Sequence, residues 1–177
     1  MYKGLYGRLL IAINSVLIRY VALSRGSWLS LMATVYIHSS GHLVIGKGVR
    51  VAQGSVLSIL PGAVLELKDA CIINHGVTIY CASKIVIGRQ SRIAHYCSII
   101  DHDYDIHTDN VWFERPKIMS PIIIGEHVWL GAHVFVCKGI TIGDQCVIGA
   151  QTMVRKSISD GMLVYCQKNS QLTQIKL

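Results

Sequence analysis

The sequence predicts an all-β solenoid of about five coils, and three observations predict it. Aliphatic residues recur at every sixth position, glycine often follows them, and one interval in the series is far longer than the rest. In "IGEHVWLGAHVFVCKGITIGDQCVIGAQTMV" the aliphatic residues fall at Ile124, Leu130, Val136, Ile142, Ile148 and Val154, with Gly125, Gly131, Gly143 and Gly149 directly after four of them. The fifth position of each hexad is small or β-branched, as at Val128, Val134 and Thr152. The same register runs earlier in triples: Ile45, Val51, Leu57; Leu67, Ile73, Ile79; Ile87, Ile93, Ile99. A period of six is neither the 3.6 of an amphipathic helix nor the 2 of an alternating strand. It suits a chain that runs a short strand, turns, and repeats this on three faces of a triangular prism with the aliphatics stacked inward. Coils stacked about 4.8 Å apart would give a prism roughly 24 Å tall.

The chain divides accordingly. Residues 1–35 read as an amino-terminal helical segment, 36–160 as the solenoid and 161–177 as a carboxy-terminal tail. Within the first, "LYGRLLIAINSVLIRYVALS" (5–24) places Leu5, Leu9, Ile13, Val16, Tyr20 and Leu23 at helical spacing, with Arg8, Ser15 and Arg19 on another side. The two arginines disfavour a membrane span, and no cleavage-site pattern follows. End coils of a solenoid need covering, and the helix and the tail are the available covers.

Coil starts at 45, 67, 87, 124 and 142 leave one long interval, so residues 101–121 leave the prism as an extruded loop. That loop opens with "DHDYDIHTDN", a polar run in a chain with few acids. Polar loops on rigid scaffolds are where function is most often placed.

Composition narrows the classes. An apolar fraction of 51% with 15% charged residues excludes a disordered chain. Six cysteines without a C-x-x-C pair read as reduced thiols of a cytoplasmic protein, and Cys71, Cys97 and Cys146 share one repeat position, which favours packing. The net charge of +7 is uneven: no acid precedes Glu66, while Lys3, Arg8, Arg19, Arg25, Lys47 and Arg50 do. A basic, apolar amino end suggests peripheral contact with an anionic membrane surface, at the inner face of the cytoplasmic membrane. Nucleic acid is disfavoured, because no recognition motif or interleaving of aromatics with basic residues is present.

The segment "IGEHVWLGAHVFVCKGITIGDQCVIGAQTMVRKSI" resembles the signature of the hexapeptide-repeat acyltransferases, and specifically their sugar O-acetyltransferase branch. The resemblance covers residues 43–160 and is most specific from Pro121 to Lys156. It implies a left-handed parallel β-helix, an exception to the right-handed crossover rule. It also implies a homotrimer with acetyl-CoA, the co-substrate, in the groove between neighbouring prisms, and no metal. A histidine at the start of the extruded loop is the family's general base, and His102 fills that place. A neutral imidazole, with an ordinary pKa near 6.5, can take a sugar hydroxyl's proton as it attacks the thioester, an effect of roughly 10²–10⁴-fold. Asp101 or Asp103 could hold the ring in the useful tautomer.

The other roles are likewise implied by resemblance. The amide of Ala132 is the oxyanion donor and Trp129 lies beside the transfer site. Ala132 and Ala150 are small where the pantetheine arm passes. Lys156 lies near the nucleotide end of CoA, with Arg155 beside it where threonine is more usual. Asn74, in "INHG", falls where acceptor or base is contacted, and His107 is the second histidine of the loop. Lys138 completes a basic set with Arg155 and Lys156. The family's Gly-x-Pro-Ala segment after the last coil is replaced here by "VYCQKNSQL" (164–172), where Lys168 offers a substitute charge.

The expected function is therefore acetyl-CoA-dependent O-acetylation of a saccharide during assembly of a bacterial surface polysaccharide. Three alternatives are open to the same fold: N-acetylation of an amino-sugar nucleotide, a γ carbonic anhydrase-like zinc protein using His102 and His107 with His75 or His95, and a noncatalytic trimeric scaffold. His127 and His133 sit within hexads and read as surface or packing residues.

Overall fold

The computed structural model describes residues 17–20, 22–38, 40–111, 114–166 and 172–176. Residues 17–20 and 22–24 are helical, and positions 5–16 of the expected helix lie outside the described residues. Ala22 is buried and Ile18 packs on the core, whereas Leu17, Tyr20 and Leu23 are exposed. The Arg19 guanidinium ties this helix to the first coil by donating to the carbonyls of Ser30, Leu31 and Ala33. No helix of the described residues is long and apolar enough to cross a membrane.

Six coils follow. The first holds β1 (Trp28–Leu29), β2 (Thr34–Ile37) and β3 (His42–Ile45), and the second β4 (Arg50–Val51), β5 (Val56–Ile59) and β6 (Val64–Leu67). The third holds β7 (Ile72–Ile73), β8 (Thr78–Cys81) and β9 (Lys84–Ile87). In the fourth, β10 (Arg92–Ile93) and β11 (Ser98–Ile100) are separated from β14 (Ile122–Ile124) by an excursion whose base is β12 (His102–Tyr104) paired antiparallel with β13 (Lys117–Met119). The fifth holds β15 (Trp129–Leu130), β16 (Phe135–Val136) and β17 (Thr141–Ile142), and the sixth β18 (Val147–Ile148) and β19 (Met153–Val154), closed by a bridge from Ile158 to Ile142. The strands stack in parallel into three sheets, the first two taking one strand from each of the six coils and the third one strand from each of the first five.

Registers carry the sequence period directly. Leu29, Val51, Ile73, Ile93, Leu130 and Ile148 are successive partners on one face, and Val35, Leu57, Ile79, Ile99, Val136 and Val154 on the second. All fifteen aliphatic residues of the expected register, from Ile45 to Val154, are buried. Burial of each such side chain contributes about 1.5–3 kcal/mol relative to exposure.

Glycine after the aliphatic residue has a steric cause. A Cβ on Gly125 would collide with Asp144 Oδ1 of the next coil, and that oxygen accepts the N–H of Glu126 at 2.7 Å. The carboxylate thus fills the space a side chain would need and caps the turn below it. Cys71, Cys97 and Cys146 are buried as packing residues; burial pushes the Cys71 thiol up to about 12, and burial followed by the Asp101 charge does the same for Cys81.

Two expectations about extent are corrected. Residues 28–35, assigned from sequence to the helical segment, form β1 and the start of β2, so the prism has six coils rather than about five. The first coil escapes the pattern because an apolar run of helical periodicity directly precedes its inward Leu29 and Val35. The tail is not separate either. β20 (Met162–Cys166) pairs in parallel with β18, and β21 (Leu172–Lys176) pairs antiparallel with β20, extending the first sheet.

Candidate active site

The excursion begins where β11 runs out at one corner of the prism, and the residue after the strand is Asp101. Its side chain is fully buried. The carboxylate accepts the backbone N–H of Ala82 at Oδ1 and of Ser83 at Oδ2, both at 2.7 Å, from the turn one coil below. Two short bonds from amides to an ionised acceptor compensate a charge that burial alone would make costly. The backbone of Asp101 is fixed as well, its N–H donating to Tyr80 O and its carbonyl accepting from Ser120 N.

His102 follows on β12, with its side chain only 10% exposed. Its Nδ1 lies 3.4 Å from Asp101 Oδ1. That distance is long for a charge-assisted bond, as catalytic contacts often are before substrate binds. With Nδ1–H directed at the carboxylate, Nε2 carries the lone pair and is available as a base. Tyr104, two residues on and on the same side of the strand, sits edge-on to the imidazole with ring centres 6.5 Å apart, and Lys117 lies 5.9 Å from the Tyr104 ring centre.

Asp101 and Asp103, left open as alternatives by the sequence, separate here. Asp103 is on the opposite side of β12, exposed, and its Oδ2 lies 3.6 Å from Lys138 Nζ of the next coil. It positions the hairpin against the prism and does not touch His102. His107 is exposed on the turn beyond β12, where its backbone N–H donates to Asp105 Oδ1. Among the described residues no group of three or more His, Cys, Asp or Glu is placed to hold a metal ion.

The remaining expected residues fall on two edges. Arg155 and Lys156 are exposed at the His102 corner two coils further on, with Lys138 between. Trp129 and the turn positions Ala132 and Ala150 lie instead on the first sheet and the corner after it. Asn74 occupies that second corner one coil earlier than His95; its Nδ2 donates to Ile93 O, and its backbone carbonyl accepts from Ser55 Oγ, so the residue joins coils. The second sheet separates the two edges: Ala132 precedes β16, whereas His102 follows β11, its partner strand. That width is on the order of 15 Å. One chain therefore does not bring Ala132 or Trp129 to His102.

Sequence reasoning missed the Ala82 and Ser83 amides, because backbone donors leave no trace in residue type. It also missed the Lys138 to Asp103 pair, which joins residues of two coils.

The segment 121–156 matches the family described as bacterial transferase hexapeptide (six repeats). The repeat of that family is thus present in the last coils of the chain. The chain is 34% identical over 125 residues to WcaF of Escherichia coli K12, named for colanic acid biosynthesis acetyltransferase activity, a match spanning 71% of this chain and 64% of WcaF. It is 29% identical over 137 residues to WbbJ of the same organism, named for lipopolysaccharide biosynthesis O-acetyl transferase activity, across 73% of this chain and 70% of WbbJ. Among solved structures, AntD of Bacillus cereus, an N-acyltransferase crystallised with dTDP and 3-hydroxybutyryl-CoA, superposes with a TM-score of 0.66 at 18% identity, covering 85% of this chain and 79% of AntD. The fold of the chain is thus a left-handed parallel β-helix, with the extruded hairpin that the sequence places at 101–121.

Proposed function

We propose that this chain transfers an acetyl group from acetyl-CoA to a sugar hydroxyl of a bacterial surface polysaccharide or its precursor. The observation that carries this reading is His102, nearly buried at the root of the hairpin and held through Nδ1 by a carboxylate that is itself locked by two amides. The names of WcaF and WbbJ supply the substrate class. Nε2 takes the hydroxyl proton as the oxygen attacks the thioester carbonyl, the C–S bond breaks, and the proton passes to the departing thiolate. Products are the O-acetyl sugar and free CoA, and no acyl-enzyme is needed. The basic edge of Lys138, Arg155 and Lys156 suits the phosphates of CoA.

Thiol release from acetyl-CoA on a panel of sugars, nucleotide sugars and bacterial glycans tests the reading. An alkali-labile acetyl group on the responding acceptor supports an ester; an alkali-stable one places the enzyme with amine acylation, as in AntD; silence across the panel opposes both.

The two separated edges support a homotrimer in which His102 of one chain meets Trp129, Ala132 and Ala150 of another. Two inactive chains can then complement each other. His102→Ala removes the base, and Ala132→Pro removes the N–H offered to the oxyanion. Co-expressed, the two variants should recover a measurable fraction of wild-type turnover, because some interfaces pair an intact histidine with an intact amide. A site contained in one chain predicts no recovery.

The exposed Leu17, Tyr20, Leu23, Leu31 and Met32 at the amino-terminal end, beside Arg25, support peripheral contact with the inner face of the cytoplasmic membrane. Cosedimentation with anionic vesicles that weakens with salt is expected; its absence removes the proposal.

A further inference from the structure

The first sheet carries a feature that acetyl transfer as such does not require. Strand register aligns Trp28, Arg50, Ile72, Arg92 and Trp129 as successive partners, one from each of five coils. Their side chains form a single outward column at about 4.8 Å intervals, which puts the two arginines roughly 10 Å apart. Trp28, Arg50, Arg92 and Trp129 are exposed, and Ile72 is half-buried between the guanidiniums. Turn residues, among them Gln90 and His127, wall the column on one side, and the result is an open groove of about 500 Å³ floored by Arg50, Ile72, Arg92 and Trp129.

No acid lines this groove. The ion pairs among the described residues are Arg89 with Glu126 and Lys138 with Asp103, so Arg50 and Arg92 face the groove without a counter-charge. Two like charges on one concave surface repel each other unless an anion lies between them. Guanidinium forks match carboxylate and phosphate oxygens, and an exposed indole supplies a flat apolar surface with one donor at its edge. Trp129 also stands at the end of the column nearest the proposed transfer site, so a ligand lying along the groove would be continuous with the acceptor.

We propose that this groove binds the anionic part of the acceptor, a saccharide that bears carboxylate or phosphate groups, along the line from Trp129 to Arg50. This rests on the saccharide acyltransferase reading and specifies its acceptor class. The alternative is a solvated basic face, which attracts anions through net charge alone.

Calorimetric titration without any acyl donor separates the two. The probes are tetragalacturonate for carboxylates, UDP-glucose for a diphosphate, and maltotetraose as the neutral oligosaccharide. Wild-type protein should bind one anionic probe at least tenfold more tightly than maltotetraose. Arg92→Gln and Arg50→Gln should each weaken that probe by roughly tenfold or more, the loss expected for a hydrogen bond to a charged group. Lys84→Gln removes the same charge from the third sheet and should not weaken it. Whichever anionic probe shows the arginine dependence identifies the group recognised. Wild-type binding with no preference for either anion, or equal losses in all three variants, overturns the proposal. Arginine-dependent binding without thiol release from any acceptor instead sinks the transferase reading and leaves the groove standing.

Discussion

Replacement of His102 by alanine should lower acceptor-dependent acetyl transfer by about 10²–10⁴-fold, the usual contribution of a positioned general base. The expectation follows from the ring's surroundings. The imidazole is nearly buried, its Nδ1 faces Asp101, and its other nitrogen is left as an acceptor. The deficit should fall on kcat, because in the proposed mechanism the ring meets the reacting hydroxyl rather than the body of CoA, so KM for acetyl-CoA should stay near the wild-type value. Initial rates of thiol release at saturating acetyl-CoA measure this. Should the variant retain full turnover, the base lies elsewhere; His107, exposed on the hairpin turn, would be the next residue to replace.

Asp101→Asn should weaken both the fold and the reaction. The carboxylate receives amide N–H groups at each oxygen, and the asparagine amide would offer one oxygen and turn an NH2 toward the remaining donor. A buried amide left without an acceptor costs about 1–3 kcal/mol, and a chain of this size loses about 2–4 °C in Tm per kcal/mol. Thermal unfolding should therefore fall by several degrees. The rate should fall as well, since the group that holds His102 Nδ1–H loses its charge. Asp103→Asn serves as the comparison: Asp103 is exposed and faces Lys138, so its loss should be small in both measurements. A variant at Asp101 with unchanged Tm and unchanged rate would remove it from the site.

Much of this was legible in the residues. The period of six placed one inward aliphatic on each strand from Ile45 to Val154, because a coil of fixed girth repeats the same inward position, while the second buried residue of the longer strands, as at Ile59, Leu65, Ile85 and Ile122, lies outside that register. The interval between Ile87 and Ile124 located the hairpin for the same reason: surplus residues cannot enter a coil of fixed girth. What stayed hidden has equally physical causes. Leu29 and Val35 carry the period but directly follow an apolar run of helical spacing, so the first coil merged with the helix before it. Asp101 and Asp103 are alike in sequence, and only the fold separates them: Asp101 sits at the corner before β12, held by the Ala82 and Ser83 amides, while Asp103 lies on β12 and faces Lys138. The column of Arg50 and Arg92 could not be read as a unit, since residues 42 positions apart become near neighbours only after two coils have closed.

The central claim is that an acetyl group passes from CoA to a saccharide hydroxyl on this chain. Transfer of label from acetyl-labelled acetyl-CoA to a bacterial surface glycan, followed by wild-type protein and by His102→Ala, tests it most directly. The account predicts alkali-labile label on the glycan with equimolar free thiol, no label left on the protein, and loss of transfer in the variant. Label retained covalently on the chain, or transfer that survives loss of His102, would contradict it.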